Sequence, residues 1–341
     1  MTKRIGFLSF GRYQPVRGSV VRTAADALLQ TVELAVAAEE LGADGAYVRV
    51  HHFAPQLASP FPLLAAMAAR TSRIELGTGV IDFRYENPLY AAEEAAATDL
   101  LSGGRLQLGI SRGSPETALH GYESFGYVPG EGSTDADMAR EHAALFLAAI
   151  QGAGVANANP QMTGGRTGAL AIEPQSPGLA DRIWWGAGTR ATAVWTAEQG
   201  LNLMSSTLLT EDTGVPFDQL QAEQIRMFRE AWKTAGCERE PRVSVSRSIL
   251  PLIDDETRLY FGARAEEDSS DTVGYLDGGL ARFGRSYIGE PDAIARELAQ
   301  DAAVREADTV LVTVPNQLGV DFNARLLEAI VEDIAPSLPG R

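Results

Sequence analysis

The sequence predicts an α/β chain folded as one (β/α)8 TIM barrel with loop insertions. Three observations carry this. Eight short apolar runs alternate with helical stretches from one end of the chain to the other. Such alternation implies a parallel sheet with helical crossovers, and eight units close into a barrel more readily than they spread as an open sheet. Residues 72–116 show the unit most clearly, as strand, loop, helix, tight turn and strand. Each strand there gives way to polar and glycine residues: Asp82 and Arg84 after one, Ser111, Arg112 and Gly113 after the other. In parallel α/β proteins ligands bind at the carboxyl ends of the strands, so this stretch points to a site as well as a fold.

The elements follow in order. Ile5–Phe10 is a short apolar run ended by Gly11, as a buried strand would be. Residues 22–41 carry Leu28, Val32, Ala35, Val36 and Leu41 at helical steps, with Gly42 placed as a cap. Residues 44–50 read as the second strand, 60–71 as a helix opened by two prolines, and 73–81 as the third strand. Asn87-Pro88 starts the next helix, Asn as its cap and Pro at its first position, and Ser102-Gly-Gly stops it before the strand 105–110. Residues 113–135 hold five glycines and two prolines and read as a long loop over the site. A helix at 136–151 and a Gly/Pro-rich excursion at 152–180 follow. Strands at 183–186, 201–204, 242–250 and 309–314 alternate with helices at 191–199, 219–235, 291–298 and 325–335. Residues 254–286 are polar with little pattern and read as an insertion or lid on a βα loop. No composition break marks a second domain, so residues 1–341 are expected to form one.

Composition narrows the partners. At 45% hydrophobic and 22% charged, the chain resembles ordinary soluble globular proteins. A formal net charge of −16 argues against nucleic acid or an anionic membrane as a partner, and it gives interest to any arginine at a strand end, since an anionic ligand would need local positive charge. No apolar run approaches the ~20 residues of a membrane span. The short apolar stretch after Lys3-Arg4 reads as a strand and not as a signal-peptide core. One cysteine, Cys237, permits no intrachain disulfide and suits a reducing cytoplasm. With it and four histidines, no structural zinc site is expected.

Four stretches carry a family resemblance: Tyr47-Val-Arg-Val-His-His-Phe53, the block Ser72–Arg112, Ile183-Trp-Trp-Gly-Ala-Gly-Thr189, and Val314-Pro-Asn-Gln-Leu-Gly-Val-Asp321 with the closing Leu327-Glu-Ala-Ile330. Together they resemble the bacterial-luciferase-like flavin-dependent monooxygenases over nearly the full length, most weakly in 113–180 and 254–286. The resemblance implies a barrel that binds reduced FMN or, in some branches, a reduced deazaflavin coenzyme. It also implies use of O2 on a small organic substrate and a homodimer; since no NAD-binding domain is visible in the sequence, a separate reductase is expected to supply the reduced flavin.

Individual residues take roles from this likeness beside plainer readings. His51 aligns with an active-site histidine, and an imidazole suits proton transfer near neutrality; the plainer reading is a hydrogen bond at a strand end. Adjacent side chains on a strand point opposite ways, so at most one of His51 and His52 should face the site. Val50 stands where several members have a glutamate, a departure that argues against luciferase-type aldehyde chemistry. Arg112 matches a phosphate-contacting arginine, and guanidinium geometry suits phosphate; its alternative is an ion pair with an acid such as Glu116. Ser111 stands where some members carry a reactive cysteine and would line the flavin ring. Gly186-Ala-Gly-Thr-Arg-Ala191 follows a strand and opens a helix, so its glycines and amides could receive an anion. Read alone it also fits a dinucleotide fingerprint, but four strands precede it. As the phosphate turn it uses Gly186, Ala187, Gly188 and Thr189. Arg140 resembles a second phosphate-contacting arginine or is a solvated helix charge. Gly79, Val80 and Ile81 would pass beside the flavin ring, with a non-proline cis bond of the kind the family often carries; ordinary barrel packing is the simpler account of the glycines. Trp184, Trp185 and Trp195 read as core or interface.

Overall fold

In the computed structural model, which describes residues 3–113, 117–276 and 279–340, eight parallel strands close on themselves. They are β1 (Arg4–Ser9), β2 (Gly45–Val48), β3 (Glu75–Thr78), β4 (Leu106–Ser111), β5 (Ile183–Gly186), β6 (Asn202–Ser205), β7 (Val243–Pro251) and β8 (Thr309–Val314). Each pairs in parallel with the next, and β8 pairs back onto β1 from Arg4↔Thr309 to Ser9↔Val314. Helices follow them in turn: α1 (Ala24–Glu40), α2 (Pro60–Arg70), α3 (Pro88–Ser102), α4 (Asp135–Ile150), α5 (Arg190–Glu198), α6 (Phe217–Thr234), α7 (Pro291–Leu298) and α8 (Val320–Ala329). The expected (β/α)8 barrel is the fold.

Local chemistry explains the helix boundaries. Thr23 and Asp26 form a reciprocal capping box at the start of α1. Asn87 accepts from the amides of Leu89 and Tyr90, Pro88 follows it, and Gly103 ends α3 at φ +70°. The amphipathic helices bury their apolar faces against the strands in one extensive core.

The barrel interior is packed, not open. Leu8, Tyr47, Trp184, Met204 and Leu311 fill it, all at most 5% exposed. Gly77 makes room for Tyr47, because a Cβ there would stand 2.5 Å from the tyrosine ring. Below this layer, toward the strand N-termini, a polar floor converges on Glu75. Arg242 grips its two oxygens at 2.9 and 3.0 Å, Arg4 approaches at 3.1 Å, and the Gln107 amide donates to it at 3.3 Å. Trp184 Nε1 in turn donates to Gln107 at 2.8 Å.

Four expectations need correction. The third strand does not run to Ile81: it stops at Thr78, crosses a Gly79–Val80 cis peptide, and resumes as the short strand Ile81–Asp82 beside β4. The second strand stops at Val48, so His51 and His52 lie in the loop beyond it, where strand alternation does not order them. The last helix begins at Val320, not 325, and continues as a π-helical turn to Ile334. Residues 254–286 are far from patternless. They hold helices Asp255–Phe261 and Arg264–Glu267, then a hairpin of Thr272–Leu276 with Gly279–Phe283 that also pairs with Leu208–Leu209. Ser286–Gly289 then adds a parallel strand beside the end of β7. The 152–180 excursion is a surface hairpin built on the exposed pairs Ala156–Asn157 and Ala169–Leu170. Among the described residues no helix is long and apolar enough to cross a membrane.

Candidate active site

A cavity of about 1320 Å³, counting its open mouth, sits at the C-terminal ends of the strands. Its floor is the apolar interior layer, reached through Leu8 and Met204. Its wall is assembled strand by strand: Phe10 after β1, Arg49 and Val50 after β2, Gly79, Val80 and Asp82 after β3, and Ser111, Arg112 and Gly113 at the end of β4. Gly186 to Thr189 follow β5, residues 206–208 and Thr210 follow β6, and Ser246 and Thr313 project from β7 and β8. Ala136 and Arg140 reach in from α4, and Leu276 from the hairpin overhead.

Of the residues expected at a cofactor, nine line this one cavity: Gly79, Val80, Ser111, Arg112, Arg140, Gly186, Ala187, Gly188 and Thr189. Ile81 does not. Its side chain is fully buried in the core between strands and helices, since neighbours along a strand face opposite sides and Val80 takes the inward place. His51 is not on the lining either. The chain turns after Val50, and the His51 amide donates to the Leu57 carbonyl at 2.9 Å. His52 is buried and stacks on Tyr85 with ring centroids 4.2 Å apart. The rival partner for Arg112, Glu116, lies outside the described residues.

The turn after β5 is built for close approach. A Cβ on Gly188 would stand 2.6 Å from Thr210 Oγ1, and one on Gly186 would stand 3.3 Å from Ser111 Cβ and Val80 Cγ1. The Thr189 hydroxyl caps α5 by accepting from the Thr192 amide at 3.1 Å. Glu211 already occupies the next amide, that of Arg190, at 2.8 Å. From behind, the buried Gln224 donates to the carbonyls of Ala187 and Thr189, both at 3.1 Å, and accepts from Ser205 Oγ at 2.7 Å. Gln221 anchors Ser205 and Ser206 in the same way. Both glutamines escaped sequence reading. The signal was their polarity at core positions of α6, beside Leu220, Ile225 and Phe228.

Electrostatically, among the described residues Arg49, Arg112 and Arg140 line the cavity with a single carboxylate, Asp82. Arg84 holds that carboxylate through Nε at 3.0 Å and Nη2 at 2.6 Å, and its Nη1 reaches Asp135 at 2.7 Å. Burial pulls the Arg84 guanidinium toward neutrality, but its two carboxylate partners outweigh burial and raise its pKa. Gly113, at φ +82°, packs where a side chain would strike the Asp82 carboxylate. Arg140 lies 5.0 Å over the Trp195 ring, and Trp195 meets Trp185 edge-on at 4.7 Å. Arg49 lies 5.0 Å over the Phe10 ring. Outside the cavity, burial, Glu94 and Asp82 together push Glu86 up to about 7. His142 Nδ1 lies 2.9 Å from the Phe83 carbonyl, and the exposed His120 pairs with Glu123 at 3.3 Å. An anion-binding arc at β4–β5 and a broad apolar floor can thus receive a flat ring carrying a phosphate.

Known proteins resemble the chain in sequence and in fold. The family description "luciferase-like monooxygenase" matches residues 7–303. The chain is 38% identical over 95 residues to 4-hydroxyprotoasukamycin monooxygenase of Streptomyces nodosus subsp. asukaensis, covering 27% of this chain and 26% of that protein. It is 34% identical over 103 residues to the oxygenase component of flavin-dependent trigonelline monooxygenase of Acinetobacter baylyi, covering 30% and 27%. It is 41% identical over 102 residues to the F420-dependent glucose-6-phosphate dehydrogenase of Amycolatopsis mediterranei, covering 27% and 30%. These matches span about a quarter to a third of each relative's length. Among solved structures, the oxygenating constituent of 3,6-diketocamphane monooxygenase of Pseudomonas putida, in complex with FMN, superimposes with a TM-score of 0.73. That match has 16% identity and covers 100% of both chains, a likeness of fold.

Proposed function

The chain belongs to the luciferase-like monooxygenase family, and from that premise we propose that it is an oxidoreductase that uses reduced FMN and O2 to oxidise a small organic substrate. The observation that carries this reading is the convergence of Arg112, Arg140 and the 186–189 turn on one cavity with an apolar floor. The residues fit the group. Among the described residues the amides of Gly188 and Thr189 have no hydrogen-bond partner, and the two arginines add charge to them. Gly79, Val80 and Gly186 offer a low surface on which a tricyclic ring can lie. When bound, reduced flavin supplies the electrons for oxygen chemistry.

The protein's own part is to bind, orient and exclude water. Arg112, Arg140, Gly188 and Thr189 hold the phosphate. Ser111, whose Oγ accepts from the Gly113 amide at 2.8 Å, would line the flavin ring. Leu276 on the hairpin covers the mouth and helps keep water from the reacting atoms. His51, off the lining, is given no proton-transfer role. Reduced flavin arrives from a separate reductase, a reading supported by the relative named as an oxygenase component. The single cysteine is in keeping with a cytoplasmic setting. A homodimer is part of this proposal, and the exposed Tyr90, Leu100 and Leu101 on α3 give it an apolar face. Light scattering that finds a monomer would remove it.

A second reading, hydride transfer with a deazaflavin coenzyme, is favoured by the likeness to the F420-dependent dehydrogenase. Anaerobic titration with reduced FMN and with the reduced deazaflavin, followed by admission of O2, separates the two. The expected result is tighter binding of FMN and oxygen uptake. Tight binding of the deazaflavin alone would overturn the FMN reading, and FMN binding that no candidate substrate couples to turnover would leave a flavin-binding protein.

A further inference from the structure

One half of the cavity wall carries no charge. From β6 round to β1, no side chain on the lining is ionisable among the described residues; the wall there includes Leu8, Phe10, Met204, Ser246 and Thr313. The arginines and Asp82 belong to the other half, from β2 to β5 and α4. In a ring of eight strands β7 faces β3, and β8 faces β4. The uncharged half therefore looks across the mouth at Gly79, Val80 and Ser111, the side given to the flavin ring.

Resting on the flavin reading, we propose that the substrate is a neutral, mainly apolar molecule with one hydrogen-bond-accepting oxygen, and that Ser246 recognises that oxygen. Ser246 is 3% exposed, and it lines the cavity. Val245 before it packs in the core between strands and helices, so alternation turns Ser246 inward. It pairs in register with Leu311 of the interior layer, which places it at the edge of the apolar floor. Its carbonyl accepts from Arg247 Nη1 at 2.8 Å, but among the described residues its hydroxyl has no partner. The other hydroxyl on the inner wall of this side, Thr313 Oγ1, is turned to the Arg247 carbonyl at 3.5 Å. Solvent satisfies a hydroxyl such as that of Ser246 while the cavity is open. An apolar guest that expels the solvent strands the hydroxyl unless it brings an acceptor of its own. A carbonyl oxygen takes that hydrogen and brings none that needs a second acceptor. Leu8, Phe10 and Met204, with Leu276 overhead, suit an apolar body around this anchor. An ionised guest would lose its hydration on this side without meeting a counter-charge. Arg49, at the edge of this half, is already engaged, its guanidinium 5.0 Å over the Phe10 ring.

The test uses protein loaded with oxidised FMN, so that nothing turns over, and the flavin-free protein in parallel. Acetophenone, ethylbenzene and benzoate are titrated by calorimetry; they are of similar size, and they present one neutral acceptor, none, and a charge. In the wild type acetophenone is expected to bind roughly 2- to 12-fold more tightly than ethylbenzene, the range for one net hydrogen bond, and benzoate more weakly than acetophenone. Ser246→Ala should remove the preference for acetophenone over ethylbenzene. It should leave the FMN affinity within about twofold of wild type, because the phosphate contacts lie elsewhere on the wall. Ser246→Cys, with a weaker donor, should keep only part of the preference. At saturating FMN, Arg112→Met should leave it intact. No preference in the wild type, a preference that survives in Ser246→Ala, or tightest binding of benzoate overturns the proposal. An equal loss of FMN and acetophenone affinity in Ser246→Ala also overturns it, because the hydroxyl then serves the cofactor. If FMN does not bind the wild type at all, the flavin reading fails, and the flavin-free titration still decides whether Ser246 selects a neutral acceptor.

Discussion

Replacing Arg112 with Met tests the phosphate end of the cavity directly. The substitution keeps a long unbranched side chain on the wall and removes the charge and the fork of N–H donors. A hydrogen bond to a charged group contributes about 1.5–3 kcal/mol, which corresponds to roughly a 10- to 150-fold change in Kd. Arg140 shares the site, but its guanidinium is also engaged 5.0 Å over Trp195, an interaction of about 0.5–2 kcal/mol that it would partly give up to reach a ligand. Arg112 should therefore contribute more than Arg140. The assay is quenching of flavin fluorescence on titration with FMN and with riboflavin, which lacks the phosphate. Wild type should prefer FMN. Arg112→Met should weaken FMN by one to two orders of magnitude and leave riboflavin nearly unchanged. If both arginines hold one phosphate, the double variant should lose less than the sum of the single losses. Equal affinity of the wild type for FMN and riboflavin, or equal weakening of both ligands by Arg112→Met, would refute the assignment.

Three further predictions concern acids that sequence reading did not single out. Glu39 accepts from the amides of Ser72, Arg73 and Ile74 at 3.0, 2.6 and 2.8 Å. Burial pushes its carboxyl up, but those amides outweigh burial and hold it at about 2 against an ordinary 4.5. Its stabilisation is thus complete above pH 4.5 and fades as pH falls toward 2, so Glu39→Gln should cost about 1–2 kcal/mol at pH 7 and less at pH 3, read from urea midpoints. Glu86 has the opposite sign. Burial, then Glu94 and Asp82, raise its pKa to about 7, so it destabilises the fold increasingly from pH 4.5 to 7. Glu86→Gln should flatten that decline, raising stability at pH 8 by about 1–3 kcal/mol while changing little at pH 4; an unchanged pH profile would contradict it. Glu75→Gln should lower the unfolding midpoint by the equivalent of about 2–4 kcal/mol, because Arg242 and Arg4 would lose their shared counter-charge beneath the barrel. A loss below about 1 kcal/mol would mean that the packed side chains above hold that end without it.

Much of the barrel was legible because strands buried on both faces read as plain apolar runs, as Leu106–Ile110 and Thr309–Val314 do. Caps were legible for a similar reason: Asn87, Pro88 and Gly103 act through local backbone chemistry. The hairpin over the mouth was hidden. Its outward Val273, Tyr275 and Leu280 are exposed, so apolar residues occupy the face where polar ones would have revealed the alternation. The non-proline cis bond, expected from the family resemblance, is present at Gly79–Val80, but the residues themselves carry no signal of the strand break beside it, so the strand was read through to Ile81. At the site, the 186–189 turn on the cavity wall showed itself because glycine, a strand end and a helix start coincide. Arg49 and Phe10 did not, since each is one residue at a strand end and their adjacency exists only once β1 and β2 are paired. The end of β2 at Val48 puts Arg49 and Val50 on the wall and carries His51 into the loop beyond it, a boundary that the apolar run 44–50 did not show.

The packed floor also bears on the order of events. Tyr47, Trp184 and the Glu75 network close the far end of the barrel, so the cavity is a cul-de-sac. On the proposed reading, cofactor, substrate and product share the mouth at the strand C-termini, and whatever enters first lies deepest. A ring lying on the proposed surface of Gly79, Val80 and Gly186 would leave only after the molecule above it had gone. Saturating substrate should then trap the cofactor behind it and slow its exchange with any donor protein, so traffic through the doorway, as well as chemistry at the floor, would set the turnover rate.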